Sequence, residues 1–253
     1  MSSLSRRAFL MGASATGVGF GLAGCVTNSS SMAPFVVASA DPAPPPPPPE
    51  PIQADGTFNY KELYAAIKND KFPVPAIDLK RINPDFLRAE IDYNTDQAPG
   101  TIIIDTKAHY LYHVGNNGRA MRYGVGVGRE GFVWAGTAQI HSKQEWPDWY
   151  PPTEMIQRQP ELKAVMSKLQ SGVGMHGGPR NPLGARAMYL WQNNKDTLFR
   201  IHGTVEPWSI GHSVSSGCIR MINQDVIDLY QRVAVGSTVV VEGPGMSLED
   251  AEG

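Results

Sequence analysis

The chain has 253 residues, of which 22 are Lys or Arg and 24 are Asp or Glu, for a net charge of -2. No basic block lies beyond its first few residues, which argues against nucleic acid as a partner. Hydrophobic residues make up 42% of the chain, enough for one sizeable core.

Residues 1–25 have the pattern of an export signal. Arg6 and Arg7 lie in SRRAFL, a twin-arginine pattern, ahead of a Gly-rich stretch too short for a good membrane span. The following LAGC, ending at Cys25, resembles a lipobox, in which the cysteine is acylated. We therefore predict twin-arginine export to the periplasm and a lipid anchor on Cys25. The outer membrane is favoured because Val26 gives no acidic retention signal. The alternatives are an uncleaved N-terminus with a chance arginine pair and an ordinary signal-peptidase site.

Residues 26–56 are predicted to be a linker rich in Ser and Pro. Seven of the eight residues in 44–51 are proline, a composition that favours an extended polyproline II spacer. Such a spacer would hold a domain away from a membrane. The alternative is a recognition segment for a proline-binding partner.

Residues 57–97 are predicted to form a short helical lead-in. Phe58, Leu63, Tyr64 and Ile67 make a helical apolar stripe in TFNYKELYAAIKND. In NPDFLRAEI, Asn83 is the expected N-cap of a second short helix, with proline at the first helical position.

Residues 98–243 have a composition typical of β-strands. Runs such as GTIIIDT, HYLYHV, RAMYLWQ, TLFRIHG and STVVVEG are rich in β-branched and aromatic residues, and NNG at 116–118 is a hairpin-turn signal. Helices are expected around residues 153–170 and at QDVIDLYQRV, and 244–253 is a tail. These patterns predict a mainly β, largely antiparallel domain with a few helices.

Cys218, in SVSSGCIR, is a candidate nucleophile. It lies in a turn rather than in an apolar run, unlike most structural free cysteines, and needs a nearby cation or base to be reactive. If Ile219 points inward on a strand, Arg220 shares the other face with the thiol. Gly217 permits close backbone approach and would leave N–H groups for a developing oxyanion. With Cys25 acylated, Cys218 is the one remaining thiol of the chain.

His202 is the candidate base because it ends the strand TLFRIHG, sixteen positions before Cys218. A lone histidine at a strand end is more often a hydrogen-bonded structural residue. Its candidacy therefore depends on the cysteine.

The segments HGT at 202–204, EPWSIG at 206–211 and SSGCIRM at 215–221 together resemble the signature of the L,D-transpeptidases with a YkuD-type catalytic domain. GGPRNPLGARAMYL at 177–190 and the opening strands are similar to further blocks of that family. The resemblance covers roughly residues 98–243. It implies an antiparallel β-sandwich or barrel-like fold, no cofactor, and acyl transfer on peptidoglycan stem peptides.

The resemblance also implies roles for single residues. Cys218 would be the nucleophile, His202 the base, and the carbonyl of Gly203 the group that orients the imidazole. The substrate site would be lined by Arg220, Ser216, Gly217 and Trp208. Many family members have histidine where this chain has Ser216, and His176 matches no family role. The acceptor would be an amine of a second stem peptide or of an outer-membrane protein, and Arg220 would bind a donor carboxylate bidentately.

Three rival hypotheses remain open at this stage. A metal site could gather His176, His202, His212 and Cys218, although their spacing matches no common zinc pattern, and we predict no metal. The chain could be a wall-anchoring lipoprotein without turnover. The same cysteine and histidine could also act hydrolytically, as an L,D-carboxypeptidase or endopeptidase.

Overall fold

A nine-stranded sheet organises the part of the chain that this computed structural model describes, which is residues 58–129, 134–151, 153–215 and 217–243. The predicted signal, the whole of the predicted linker, Ser216 and the tail lie outside these residues. No helix within them is both long and apolar enough to span a membrane.

The α-helices are α1 (Tyr60–Leu63), α2 (Thr153–Arg158) and α3 (Asn223–Arg232). The strands are β1 (Ala89–Asp92), β2 (Ile102–Asp105), β3 (Tyr110–Val114), β4 (Arg119–Gly124), β5 (Val127–Gly128), β6 (Gly136–Glu145), β7 (Ser167–Leu169), β8 (Gly172–Gly174), β9 (Arg186–Gln192), β10 (Lys195–His202), β11 (Ser213–Ser215), β12 (Ile219–Arg220) and β13 (Thr238–Glu242). Short 3-10 helices span Leu79–Arg81, Pro84–Phe86, Pro160–Val165 and Pro207–Ser209.

The large sheet is mixed, in the order β1-β4-β3-β2-β13-β6-β9-β10-β12. Six of its neighbouring pairs are antiparallel, while β2–β13 and β10–β12 are parallel. Two further pairs, β5–β11 and β7–β8, form small separate sheets. The predicted mainly β fold with few helices is confirmed, and the parallel pairs are the feature that local sequence patterns did not indicate.

One apolar cluster lies at the centre of the molecule. It takes side chains from strands in both halves of the large sheet, such as Ile104 on β2 and Ile201 on β10. Val226 and Leu229 of α3 also belong to it. The sheet therefore curves around a shared core, which α3 helps to fill. Burial of apolar surface of this kind is the main favourable contribution to folding.

Several local predictions are confirmed. Asn117 and Gly118 have φ of 57° and 69° in the turn between β3 and β4, the left-handed region that their residue types tolerate. Asn83 caps its 3-10 helix by accepting a hydrogen bond from the Asp85 N–H.

The helix expected over 153–170 is divided, because Pro160 ends α2 and begins a 3-10 helix, and residues 167–169 form β7.

Buried polar contacts attach the lead-in to the rest of the unit. The Tyr64 hydroxyl donates to Asp225 Oδ2 of α3 at 3.1 Å and accepts from the Arg88 N–H at 2.9 Å. Farther along, Asp70 accepts from the Trp146 indole at 2.7 Å and forms an ion pair with Arg186 at 2.7 Å. The lead-in is thereby fixed to the helix and the strand that adjoin His202.

Tyr64→Phe tests this attachment. Removing the hydroxyl takes a hydrogen-bond partner from each of two buried groups, so we expect a loss of about 1–3 kcal/mol in the free energy of unfolding, measured by urea denaturation. Tyr112→Phe is the control, since its ring stacks on Tyr93 at 4.4 Å and its hydroxyl has no hydrogen bond within the described residues. That change should stay within about 0.5 kcal/mol. Equal effects of the two substitutions would contradict the role assigned to Tyr64.

Candidate active site

The parallel pairing of β10 with β12 brings the predicted base opposite Arg220, two residues after the predicted nucleophile. Ile201 pairs with Ile219 and His202 with Arg220. Both isoleucines are almost fully buried in the core, so His202 and Arg220 point to the opposite face. Cys218 directly precedes β12 and is two residues from Arg220, so the alternation along a strand favours the same face for its side chain.

His202 is buried, with 4% of its surface exposed, and its Nδ1 lies 2.5 Å from the carbonyl oxygen of Gly203. A carbonyl can only accept, so Nδ1 carries the proton and Nε2 is left as an acceptor. Burial lowers the pKa of His202 to about 4, and the nearby cations Arg220 and Arg200 lower it further, while hydrogen bonds with the Gly203 and Leu183 backbone oppose them. The imidazole is therefore uncharged at neutral pH.

Asn223, the first residue of α3, fixes the backbone around Gly203, whose carbonyl oxygen contacts the imidazole of His202. Its side chain accepts from the Ala185 N–H at 2.9 Å and donates to the Thr204 carbonyl at 2.9 Å. A Cβ at position 203 would lie only 2.2 Å from Asn223 Oδ1, so residue 203 has to be glycine. Sequence reasoning missed Asn223; its place at the start of a predicted helix close after Cys218 was the available signal.

The turn that carries Cys218 is built around the Ser215 hydroxyl. This hydroxyl donates to the Cys218 carbonyl at 2.7 Å and accepts from the Gly217 N–H at 3.1 Å. Gly217 has a φ of 118°, a conformation that favours glycine. The prediction that N–H groups here would be open to an oxyanion is wrong for Gly217, whose N–H is used by Ser215. For the Cys218 N–H, no described residue provides an acceptor, and its role toward an oxyanion stays a prediction.

Cys218 itself is a free, half-buried thiol. Ser216, between Ser215 and Gly217, is outside the described residues, as is Cys25. Their predicted roles, in substrate binding and in lipidation, stay predictions.

Arg220 is paired within the site. One guanidinium nitrogen lies 2.8 Å from Glu206 Oε2, and the side chain is 22% exposed. A carboxylate approaching Arg220 would therefore also approach Glu206. The proposed role of Arg220 in binding a donor carboxylate stays a prediction.

Trp208 is about half exposed, and the Arg81 guanidinium lies 5.0 Å from its ring centroid. It lines a cleft of about 300 Å³ between the segments 73–82 and 204–208. Neither Cys218 nor His202 lines this cleft.

Two further side chains lie on the catalytic face and were not singled out from the sequence. Tyr189 of β9 pairs with Arg200 of β10, and the Arg200 guanidinium lies 5.2 Å from the Tyr189 ring centroid. The Tyr189 hydroxyl donates to Gln144 Oε1 at 3.0 Å. Arg200 is two residues before His202 on one strand, and this alternation was the signal that could have identified it.

The histidines of the metal hypothesis are not gathered. Within the described part of the chain, no three His, Cys, Asp or Glu side chains are arranged to hold a metal ion. His176 is exposed and lies 3.5 Å from Asp148. His212 follows the 3-10 helix that contains Trp208, and its carbonyl accepts from the Val127 N–H.

Comparison with known proteins identifies the family of the catalytic domain. The model of the YkuD L,D-transpeptidase catalytic domain matches residues 99–241, more than half of the chain. The probable L,D-transpeptidase YbiS of Escherichia coli K12 is 28% identical over 159 residues, covering 61% of this chain and 48% of that protein. The probable L,D-transpeptidase ErfK/SrfK of Salmonella typhimurium is 32% identical over 137 residues, covering 52% and 40%. The chain thus matches less than half the length of these curated relatives.

A crystal structure from Brucella melitensis, described as a probable carnitine operon oxidoreductase, is 50% identical and covers 65% of this chain and 99% of its own. Its TM-score of 0.42 is too low to carry an argument about fold or function. The family match is sufficient without it: this chain belongs to the family with the YkuD-type L,D-transpeptidase catalytic domain.

Proposed function

We propose that this protein is a peptidoglycan L,D-transpeptidase that uses Cys218 as nucleophile and His202 as base. The observation that supports the proposal is the pairing of β10 with β12, which places an oriented, uncharged imidazole opposite Arg220, two residues after a free thiol. A base within reach of a nucleophile, and itself oriented by a third group, is the requirement for covalent acyl transfer.

The donor is a tetrapeptide stem, cleaved between the L-centre of diaminopimelate and the terminal D-Ala. The Cys218 sulfur attacks the diaminopimelate carbonyl carbon while the thiol proton passes to Nε2 of His202. In this proposal, the Cys218 N–H donates a hydrogen bond to the developing oxyanion. When the intermediate collapses, the C–N bond breaks and the imidazolium gives its proton to the leaving D-Ala nitrogen, which leaves a thioester on Cys218.

The second half-reaction returns the enzyme to its first state. An acceptor amine attacks the thioester carbonyl and gives a proton to the uncharged Nε2 of His202. The C–S bond then breaks, and the thiolate regains that proton. An amine on a second stem produces a 3-3 cross-link, an amine of an outer-membrane protein attaches that protein to the wall, and water in place of the amine gives the hydrolytic carboxypeptidase outcome.

We further propose that the protein acts in the periplasm, exported by the twin-arginine route and anchored through a lipid on Cys25. The support is the SRRAFL pattern and the LAGC segment, followed by the proline-rich stretch at 44–51. Acyl chains contribute roughly 0.8 kcal/mol for each buried CH₂, so several chains on one cysteine hold a protein at a membrane.

Cys218→Ala should abolish D-Ala release from a disaccharide-tetrapeptide, because no other group on this face can form the thioester. The measurement is mass spectrometry of products and of the intact protein, with a carbapenem as a second acylating agent that should add one drug mass to the wild type only. His202→Ala should slow this acylation by at least about 100-fold at neutral pH. The matched control is His176→Ala, which alters an exposed histidine and should react at the wild-type rate. Normal turnover by Cys218→Ala would overturn the mechanism.

The pH profile should reflect the low pKa of His202. A base with pKa about 4 is still uncharged at pH 5.5, so kcat/KM for acylation should change little between pH 7 and 5.5 and fall only near pH 4. A histidine at its ordinary pKa near 6.5 would lose about tenfold over the same interval. An acid limb centred near 6.5 would show that burial does not control this imidazole.

A stability control accompanies that profile. Burial also lowers the pKa of His113 to about 4. The unfolded chain therefore binds more protons than the folded one between about pH 6.5 and 4, and stability decreases as the pH falls through that window. Thermal unfolding at each pH separates this loss from the loss of the active imidazole.

Cys25→Ser tests the anchor. The variant should move from the membrane fraction to the soluble periplasm while the purified protein keeps its acyl-transfer activity, since catalysis is assigned wholly to residues beyond 98. Changing Arg6 and Arg7 to Lys should instead block export. Membrane retention of Cys25→Ser would contradict the lipid anchor without touching the catalytic proposal.

A further inference from the structure

Arg200 is held in an unusual part of β10. The pairing with β9 shifts between Asp196 and Arg200, where residues 197–199 form a bulge. Within it, Leu198 has a φ of 62° and is 69% exposed. A leucine rarely adopts this left-handed conformation, and such strained positions cluster at functional sites. Bulges next to active sites commonly redirect a side chain.

The bulge determines where the Arg200 guanidinium lies. One of its nitrogens donates to the Leu198 carbonyl at 3.1 Å, and its plane lies over the Tyr189 ring. Tyr189 is in turn fixed by its hydrogen bond to Gln144. The guanidinium is therefore held on two sides before any ligand arrives, which reduces the entropy lost on binding.

The pairing of β10 with β12 places this guanidinium next to the nucleophile. When the register of the Ile201–Ile219 pair is extended back by one residue, Arg200 falls opposite Cys218. Their charges also act on a common neighbour, since burial raises the pKa of the Tyr189 phenol, Arg200 lowers it and a Cys218 thiolate raises it. A ligand on Arg200 would thus lie beside the reacting bond.

Arg200 differs from Arg220 in its partners. Glu206 already neutralises Arg220 at 2.8 Å, whereas no carboxylate of the described residues lies within ion-pair distance of Arg200. Asp148 and Asp196 are close enough to raise the pKa of Tyr189, yet neither pairs with Arg200. A planar guanidinium with unused N–H groups is suited to bidentate recognition of a carboxylate.

We propose that Arg200, positioned by Tyr189 and the bulge, binds the terminal carboxylate of the donor's D-Ala. The proposal rests on the function proposed above and names a group that selects its substrate. The D-Ala carboxylate is the negative charge nearest the scissile bond, so an arginine opposite Cys218 is placed to hold it. Neutralising Arg200 also removes one of the two cations that depress the basicity of His202. Binding of the correct donor thereby makes the base stronger.

The test crosses enzyme variants with two donors, a disaccharide-tetrapeptide ending in D-Ala and the same compound ending in D-Ala amide. The purified full-length wild type should favour the free acid in kcat/KM by about 10- to 100-fold, the range expected for a charge-assisted pair. In Arg200→Gln this preference should fall to near one, mainly through loss of rate with the acid. Arg200→Lys should keep an intermediate preference.

Two further variants make the comparison specific. Arg220→Gln should slow both donors together and leave the preference intact. Arg119→Gln changes an exposed arginine on β4, which lies in the opposite half of the large sheet from β10. Its rates with both donors should match those of the wild type. Circular dichroism and titration of the Cys218 thiol check that each variant is folded. If Arg200→Gln is not folded, the donor preference of Arg200→Lys is the measurement that tests the proposal.

The outcomes separate the two proposals. An unchanged preference in Arg200→Gln, or its loss in Arg220→Gln instead, overturns the assignment of Arg200 while wild-type turnover still supports the transpeptidase. A wild type that forms no thioester with either donor overturns the proposed function, and the assignment of Arg200 with it.

Discussion

The parallel pairing of β10 with β12 is the constraint on which the site depends. Two residues of β12 pair with the end of β10, and this short contact sets the relative positions of His202, Arg220 and Cys218. A pairing of two residues is weak by itself, so it needs support from outside the sheet. The Ser215 hydroxyl stabilises the turn before β12, and the Gly126 backbone pairs with Arg220 on the other side. The core holds Ile201 and Ile219 beneath it.

The chemistry of the imidazole follows from its burial. A histidine taken out of water resists a positive charge, and the adjacent cations increase that resistance. The Gly203 carbonyl compensates in part and fixes the tautomer, and Asn223 fixes the backbone that carries this carbonyl. The base is therefore rigid and uncharged. In the proposed mechanism, it gains a proton only when a developing negative charge on sulfur or substrate lies close by.

A strained backbone position lies beside the site, while buried hydrogen bonds and ion pairs fix the elements around it. The bulge around Leu198 places one residue in a costly conformation beside the site. The lead-in is bound more firmly, because Tyr64 joins it to Asp225 of α3, and Asp70 joins it to Arg186 at the start of β9. These contacts hold the helix and the strand that flank the Gly203 backbone. Strain near the thiol is tolerated because the supporting elements are fixed by buried contacts.

The sequence by itself determined most of the strands, the turns and the family. Runs rich in β-branched and aromatic residues predicted the strands, Asn117 and Gly118 predicted a turn, and Asn83 predicted a cap, because each of these is a local preference of the chain. The residues around Cys218 and His202 identified the family and, through it, predicted the nucleophile and the base. The tertiary structure decided what depends on register between distant segments: the parallel strands, the use of the Gly217 N–H by Ser215, and the pairing of Arg220 with Glu206. It also revealed Asn223 and Arg200, whose partners lie on other elements. No local preference encodes such contacts, since they exist only once the core has fixed which strands are neighbours.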